Sequence, residues 1–183
     1  MQTLLVMTVI GQDRPGLVES IADLVASHEG NWLESRMSRL GGHFAGILRV
    51  EVPTEKEQGL VANLKALSSR GLSVVVHSDQ RKPEPPPGRV RVLEIVGQDR
   101  PGIVRQISHA LASHGVNVEE LQTECASAAM TGETLFRARA KLRVPESADV
   151  EKIRQNLEKI ASDLIVDISF AELEAEEPIS KTY

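Results

Sequence analysis

The hexapeptide GQDRPG occurs twice in this chain, at residues 11–16 and at residues 97–102, and this duplication restricts the possible folds more than any other feature. Each copy follows an apolar run and precedes apolar residues at helical spacing. The similarity extends further, because residues 11–36 align with residues 97–122. Self-similarity of this length indicates a duplicated structural unit. We therefore expect the 183 residues to form two related domains.

The segment DQRKPEPPPG, residues 79–88, lies between the two copies. Its prolines disfavour helix and sheet hydrogen bonding and favour an extended, semi-rigid spacer. The predicted organisation is a first domain at 1–79, a linker at 80–88, a second domain at 89–174 and a tail at 175–183.

Each half is predicted to have the element order β-α-β-β-α-β. In the first half, apolar residues fill the strand 3–10, and a hairpin is centred on Gly41 and Gly42. The second half repeats the order, with hairpin strands near 116–125 and 134–144. Both helices of a half carry one apolar stripe and must pack on a single face of the sheet. The fold class is therefore α+β: two ferredoxin-like units, each a four-stranded antiparallel sheet with two helices on one face.

Three local details are predicted around the helix starts of the first half. Gly11 can adopt a positive φ where the strand ends, and Pro15 suits the first position of a helix because its missing N–H costs nothing there. Thr54 and Glu57 have the spacing of a capping box for the second helix.

The hexapeptide predicts a site for a free amino acid at the start of the first helix. Gly16 leaves the first turn without a side chain, and the exposed N–H groups of a helix N-terminus favour a carboxylate. Asp13 beside them can receive an ammonium group. Asn31 follows the same helix, and its amide can both donate and accept hydrogen bonds. The alternative is structural: Asp13 is a local cap and the glycines only form the turn.

The D-R-P-G turn, the element order and the Asn about 18 positions later resemble the ACT domain, a small regulatory module that binds amino acids. The resemblance covers both halves. It implies an amino-acid site at Gly11, Asp13, Arg14, Pro15, Gly16 and Asn31, and a second at Gly97, Asp99, Arg100, Pro101, Gly102 and Asn117. In the family such sites lie between adjacent ACT units, which one chain can provide internally or by dimerising. We expect a homodimer.

A chain of two ACT units with no catalytic domain is similar to the glycine cleavage system transcriptional repressor family. This resemblance implies a non-enzymatic regulator that senses glycine and contacts a DNA-binding transcriptional activator without itself binding DNA. The alternative is a free-standing ACT subunit that regulates an amino-acid metabolic enzyme in trans. The hairpin of the second half is longer, at CASAAMTGET (125–134), so the two sites are not expected to be identical.

Charge and composition argue against a nucleic-acid partner. The formal net charge is −5, whereas phosphate binding needs a field of Lys and Arg. One strand carries a cationic stripe, which alternating residues of the neighbouring strand, two of them acidic, can neutralise. The stripe consists of Arg137, Arg139, Lys141 and Arg143, and the facing residues are Glu120, Gln122 and Glu124. Few aromatic residues are present for base stacking, so direct nucleic-acid binding is a minor third hypothesis.

Neither a metal nor another cofactor is expected. The five histidines are scattered, and the single cysteine, Cys125, is interpreted as a packed thiol. No P-loop, dinucleotide fingerprint or Ser-His-Asp order is present, so we expect no enzymatic activity. No apolar run approaches the roughly 20 residues that span a bilayer, and a lone cysteine is typical of a reducing compartment. We therefore expect a cytoplasmic protein without a membrane partner.

Overall fold

The computed structural model of the chain describes residues 1–78, 87–127 and 134–172. The chain divides into two compact units, Met1–Pro83 and Glu84–Tyr183. The predicted linker 80–88 lies outside the described residues apart from Pro87 and Gly88, and so does the whole of the predicted tail 175–183.

Unit 1 has the predicted order of strands and helices. Its elements are β1 (Gln2–Gln12), α1 (Leu17–Ser27), β2 (Asn31–Leu40), β3 (His43–Pro53), α2 (Glu57–Ala66) and β4 (Leu72–Ser78). The strands form one antiparallel sheet in the order β2-β3-β1-β4. A short 3₁₀ helix precedes α2 and another follows it.

Unit 2 repeats this architecture. Its elements are β5 (Arg89–Gln98), α3 (Ile103–Ser113), β6 (Asn117–Ser127), β7 (Thr134–Val144), α4 (Val150–Leu164) and β8 (Val166–Glu172). The sheet order is β6-β7-β5-β8, again antiparallel throughout. Both halves therefore have the predicted ferredoxin-like α+β fold.

The core of each unit lies between the sheet and its two helices. In unit 1, alternate residues of β1 such as Leu5 and Met7 are fully buried against Ile21 of α1 and Leu60 of α2. The other face of the sheet carries exposed side chains such as Ile47, as expected for helices on one face only.

Unit 2 departs from unit 1 by burying a charge. Arg91 is 7 % exposed. When Gly97 is aligned with Gly11, Arg91 corresponds to Leu5 of unit 1. Its Nη2 donates to Oε1 of Glu172 at 2.6 Å, and its guanidinium carbon lies 5.1 Å from the ring centroid of Phe170. The carboxylate and the aromatic ring compensate part of the cost of burying the guanidinium, whose Nε has no hydrogen-bond partner among the described residues.

The first helix of unit 1 begins two residues later than predicted. Gly16, with φ 85° and ψ 3°, is the N-cap of α1, so Pro15 precedes the helix instead of opening it. Gly102 is the equivalent residue in unit 2, with φ 97°. The dihedral angles of Gly16 are those of the third residue of a type II turn, where glycine is favoured and proline commonly precedes it. The P-G pair therefore forms a turn before the helix.

The prediction of a positive φ for Gly11 is wrong, because Gly11 is not among the positive-φ glycines of the described residues. The close approach of the neighbouring strand explains the glycine at this position instead. A Cβ on Gly11 would lie 2.6 Å from the carbonyl oxygen of Gly71, and one on Gly97 would lie 2.6 Å from Cγ1 of Val166. The first glycine of the hexapeptide thus gives room for the neighbouring strand.

The predicted capping box at Thr54 and Glu57 is also wrong. Thr54 begins a 3₁₀ helix, Thr54–Lys56, and α2 starts only at Glu57 with Lys56 as an N-cap that makes no side-chain cap bond. The Thr54 hydroxyl instead accepts a hydrogen bond from the Thr3 hydroxyl at 3.1 Å.

Candidate functional site

Backbone and side-chain hydrogen bonds hold the loop between β1 and α1 in place. The N–H of Asp13 donates to the carbonyl of Gly42 at 2.9 Å, which joins the loop to the β2–β3 hairpin turn. Nη2 of Arg14 donates to the carbonyl of Arg70 at 2.9 Å, at the end of the second 3₁₀ helix. The hexapeptide loop of unit 1 is therefore tied to two other segments of its unit.

An open depression lies at this loop. It measures about 460 Å³ with its wide mouth included. The residues that line it are Asp13, Arg14, Gly16, Leu17, Val18, Glu19 and Phe44. No described side chain caps the start of α1, and the first helical bond runs from the N–H of Ser20 to the carbonyl of Gly16 at 2.9 Å. The first-turn N–H groups therefore have no partner within the helix and can bind an anion.

Charged side chains of unit 1 already surround this depression. Nε of Arg39 lies 2.6 Å from Oδ2 of Asp13. Glu19 is in the first turn of α1, and its carboxylate oxygen would lie 3.6 Å from a Cβ on Gly16. An ammonium group at Asp13 must therefore compete with Arg39, and a carboxylate at the helix start must tolerate Glu19.

The equivalent loop of unit 2 has the same backbone but different charges. The N–H of Asp99 donates to the carbonyl of Thr134 at 2.9 Å, and Arg100 donates to Oε1 of Gln98 at 3.2 Å. The hexapeptide alignment places Arg105 where unit 1 has Glu19. The first turn of α3 consequently carries no acidic residue, and it favours a carboxylate more strongly than the first turn of α1.

Asp99 also differs from Asp13 in its neighbours. The position of Arg39 is occupied by Cys125 in unit 2, since Arg39 pairs with Phe44 across its hairpin and Cys125 pairs with Phe136. Within the described ranges, no cationic side chain forms an ion pair with Asp99. Asp99 is thus the more accessible partner for an ammonium group.

The structure does not bring Asn31 or Asn117 to the hexapeptide loop of its own unit. Asn31 pairs with Glu51 of β3, whereas Gly11 pairs with Phe44. The seven residues that separate Phe44 from Glu51 along β3 correspond to about 23 Å. The Asn31 amide donates to Oε1 of Glu51 at 3.2 Å. In unit 2, Asn117 pairs with Arg143 and lies equally far from the loop.

The cationic stripe of β7 lies on the open sheet face and is largely paired. Arg137 lies 3.6 Å from Glu124, which confirms the predicted cross-strand pair. Two further partners were not foreseen: Arg139 lies 3.5 Å from Glu94 of β5, and Arg143 lies 2.5 Å from Glu119. The stripe is therefore poorly suited to bind phosphate.

The structure also bears on the metal and cysteine predictions. No group of three or more potential metal ligands occurs among the residues that the structure describes. Cys125 is exposed, so its interpretation as a packed thiol is wrong. It lies on β6, an edge strand whose residues are mostly exposed.

Comparison with known proteins agrees with this geometry. Models of the ACT domain match residues 3–77 and residues 91–162, one within each of the two units described above. The chain belongs to the ACT domain family. Its tandem ACT units account for nearly all of the described residues.

The relatives of this ACT protein include a regulator. The glycine cleavage system transcriptional repressor of Escherichia coli is 24 % identical over 164 residues, covering 89 % of this chain and 86 % of that protein. A UPF0237 protein of Methanopyrus kandleri is 35 % identical over 82 residues, which cover 42 % of this chain and 80 % of the relative.

Two solved structures share the fold over almost the whole ACT protein. A protein of unknown function from Galdieria sulphuraria superimposes with a TM-score of 0.85 at 28 % identity, covering 95 % of this chain and all of the other. A second structure, provisionally described as a glycine cleavage system transcriptional repressor, gives a TM-score of 0.69 at 15 % identity, covering 95 % and 99 % of the two chains. None of the helices within the described ranges has the length and apolar composition of a membrane-spanning segment.

Proposed function

We propose that this tandem ACT protein is a non-enzymatic regulator that binds a small amino acid at its duplicated hexapeptide loops and acts by contact with a protein partner. The depression at the start of α1 carries this proposal. There, an uncapped helix start lies beside the carboxylate of Asp13. A free α-amino acid presents a carboxylate and an ammonium group a few ångströms apart. The uncapped helix start can bind the carboxylate, and Asp13 can bind the ammonium group.

Glycine is the proposed effector, and a transcriptional regulator is the proposed partner. The similarity to the glycine cleavage system transcriptional repressor of E. coli, over most of both chains, supports this choice. The paired cations of β7 support contact with a protein in preference to contact with DNA. Ligand binding would act by favouring one arrangement of the protein over another.

Asn31 and Asn117 can contribute to the proposed site only if the protein dimerises. Each lies about 23 Å from the loop of its own unit, measured along the sheet. We propose a homodimer in which an Asn of one copy completes the loop site of the other. Substitution of Asn31 by Ala should then weaken effector binding without changing the fold of the unit.

Isothermal titration calorimetry of the full chain with glycine, alanine and serine tests the effector. Asp13→Ala and Asp99→Ala should each weaken binding at the altered loop by about tenfold or more, because a charge-assisted hydrogen bond is lost. Asp23→Ala is the matched control, since Asp23 is an exposed acid on α1 outside the depression. The absence of heat with every common amino acid would contradict the proposal.

Affinity capture with the full chain from its native cell, with and without glycine, tests the partner. Recovery of a transcriptional regulator in a glycine-dependent manner supports the proposal. Recovery of a metabolic enzyme would overturn the choice of partner while leaving the effector site intact.

A further inference from the structure

The open face of the unit 1 sheet, which lies opposite its helices, carries an apolar patch. Ile47 of β3 and Val75 of β4 are the partners of Thr8 on its two sides. Ile10 lies two residues further along β1 and is diagonal to both, which is close enough for long side chains to touch. Ile47, Val75 and Ile10 are 56 %, 50 % and 52 % exposed. A contiguous apolar patch at a surface is typical of an interaction site.

Unit 2 has charged and polar side chains where unit 1 has this patch. In the aligned repeat, Thr8 corresponds to Glu94. The strand partners of Glu94 are Arg139 and Ser169, which take the places of the two apolar partners of Thr8. Arg139 lies 3.5 Å from Glu94. The same fold thus forms with charges at these positions, so the apolar residues of unit 1 are not needed to hold its own sheet together.

The open face of unit 1 is large enough for a stable interface. Its four strands are seven to eleven residues long. At about 3.3 Å per residue and about 4.8 Å between strands, they cover about 600 Å². Two such faces packed together would bury about 1,200 Å², which lies at the lower end of the range for specific protein–protein interfaces.

The charges of this face suit a second copy of the chain. Its strands contribute two acidic residues, Glu34 and Glu51, and two basic residues, Arg36 and Arg49. Nη1 of Arg36 lies 2.9 Å from Oε1 of Glu34. A face with charges of one sign would repel its own copy. Because the acidic and basic residues are balanced, two identical faces can pack together without net repulsion.

Asn31 lies on the same face, at the end of the sheet away from the hexapeptide. It pairs with Glu51, which pairs in turn with Leu4 near the start of β1, whereas the hexapeptide begins at the end of β1. If two faces pack with their β1 strands antiparallel, Asn31 of each copy lies at the end of the sheet that carries the loop of the other. The proposed effector site requires this direction of packing.

We propose that the open face of unit 1 is the homodimer interface, formed by two copies that pack their apolar patches together with the β1 strands antiparallel. The interface belongs to the homodimer of the proposed function and therefore rests on that function. Burial of the patch is the main stabilising contribution, because each of its side chains leaves water in both copies.

Ile47→Arg tests the interface by placing the residue of unit 2 in the patch. Sedimentation equilibrium of the full chain should show that wild type is a dimer. The variant should have a dimer dissociation constant at least about a hundredfold higher, because an isoleucine is lost from both copies. Val75→Ser also introduces the residue of unit 2, and this milder change should weaken the dimer by about tenfold or more.

Leu121→Arg is the matched control for these substitutions. Leu121 is 51 % exposed, close to the value for Ile47, but it lies on β6 of unit 2. The control variant should remain a dimer. The fluorescence of Trp32, the single tryptophan of the chain, shows whether unit 1 is folded in the Ile47 and Val75 variants.

A wild type that stays monomeric at every concentration overturns the proposed interface. So does a dimer that persists in folded Ile47→Arg, or a dimer that dissociates in Leu121→Arg. Glycine calorimetry on the same samples separates the interface from the effector. Glycine binding by a monomeric wild type leaves the effector site standing, whereas a wild-type dimer that binds no amino acid counts against the proposed function and not against the interface.

Discussion

Arg39 and Asp13 form an ion pair in which 2.6 Å separates Nε from Oδ2. Arg39 lies near the end of β2 and Asp13 lies in the loop after β1, so the pair joins the hairpin to the hexapeptide. The N–H of Asp13 bonds to Gly42 of the same hairpin. In unit 1 the carboxylate proposed to receive the effector is thus already neutralised by the protein.

Arg39→Ala should strengthen effector binding at the loop of unit 1, because it removes the group that competes with the ammonium for Asp13. An exposed ion pair contributes up to about 1 kcal/mol, so the gain should be at most about fivefold. Glycine titrations in an Asp99→Ala background isolate unit 1. Arg36→Ala, on the same strand, is the control and should leave affinity unchanged. Weaker binding by Arg39→Ala would show that Arg39 contacts the ligand's carboxylate.

Gly11→Ala should destabilise unit 1 because a Cβ would lie 2.6 Å from the carbonyl oxygen of Gly71. Overpacking of this kind costs about 1–3 kcal/mol. Urea unfolding followed by the fluorescence of Trp32, the single tryptophan of the chain, reports on unit 1. Gly97→Ala should produce the same loss in unit 2, which circular dichroism detects.

Gly41→Ala is the control for these glycine substitutions. Gly41 has nothing within 4 Å of an added Cβ, and its φ is 57°. The substitution should cost only the strain of the left-handed backbone, about 1–2 kcal/mol. If space rather than backbone angle explains the hexapeptide glycine, Gly41→Ala should not lower stability more than Gly11→Ala.

His28 joins the two helices of unit 1, and loss of its ring should destabilise that unit. Its Nδ1 lies 2.8 Å from the carbonyl oxygen of Leu24, and its Nε2 lies 3.3 Å from Nδ2 of Asn63 on α2. His114 repeats this arrangement with Asn156 at 3.5 Å. His28→Ala should lower the free energy of unfolding by about 1–2 kcal/mol.

Trp32 allows the two histidines to be separated experimentally. His28→Ala should shift the fluorescence transition in urea, whereas His114→Ala should shift the circular dichroism transition and leave the fluorescence midpoint near its original value. Equal fluorescence shifts for both variants would contradict the view that each histidine stabilises only its own unit.

Asp149 should contribute stability that depends on pH. Its carboxylate accepts hydrogen bonds from the N–H groups of Glu151 and Lys152 at the start of α4, at 3.1 and 3.2 Å. The backbone bond from Lys152 is the main cause that lowers the pKa of Asp149 below its ordinary value of 3.8. Since folding lowers this pKa, the stabilisation is complete above the ordinary value and is lost as pH falls through the lowered value.

Asp149→Ala provides the measurement of this contribution. At pH 7 the variant should unfold at a lower urea concentration than wild type, and the difference should shrink once the pH falls below the ordinary value of 3.8. Asp149→Asn should retain much of the cap at neutral pH, because an amide oxygen can accept the same bonds. A difference that stays constant from pH 7 to acid would argue against the capping carboxylate.

The element order could be predicted because residues such as Leu5 and Met7 alternate at the period of a strand while Ile21 and Val25 repeat at the period of a helix. The local predictions failed where two different structural requirements favour the same residue type. Gly11 is equally compatible with a positive φ and with a close strand, and only the position of Gly71 decides between them.

The site was less predictable than the fold, because its charges depend on contacts between distant segments. The Asp13–Arg39 pair joins residues from the loop and the hairpin, and no spacing rule connects them. The alignment could have revealed that Glu19 corresponds to Arg105, since both positions lie inside the repeat.

Arg91 has a further consequence for how a duplicated chain folds without exchanging its halves. If β5 took the place of β1 in the sheet of unit 1, the guanidinium of Arg91 would occupy the fully buried position of Leu5. The residue opposite would then be Ser78, whereas in unit 2 it is Glu172. A buried charge without its carboxylate is strongly destabilising. Arg91 therefore disfavours exchange of β5 into the sheet of unit 1, although the two units share a hexapeptide.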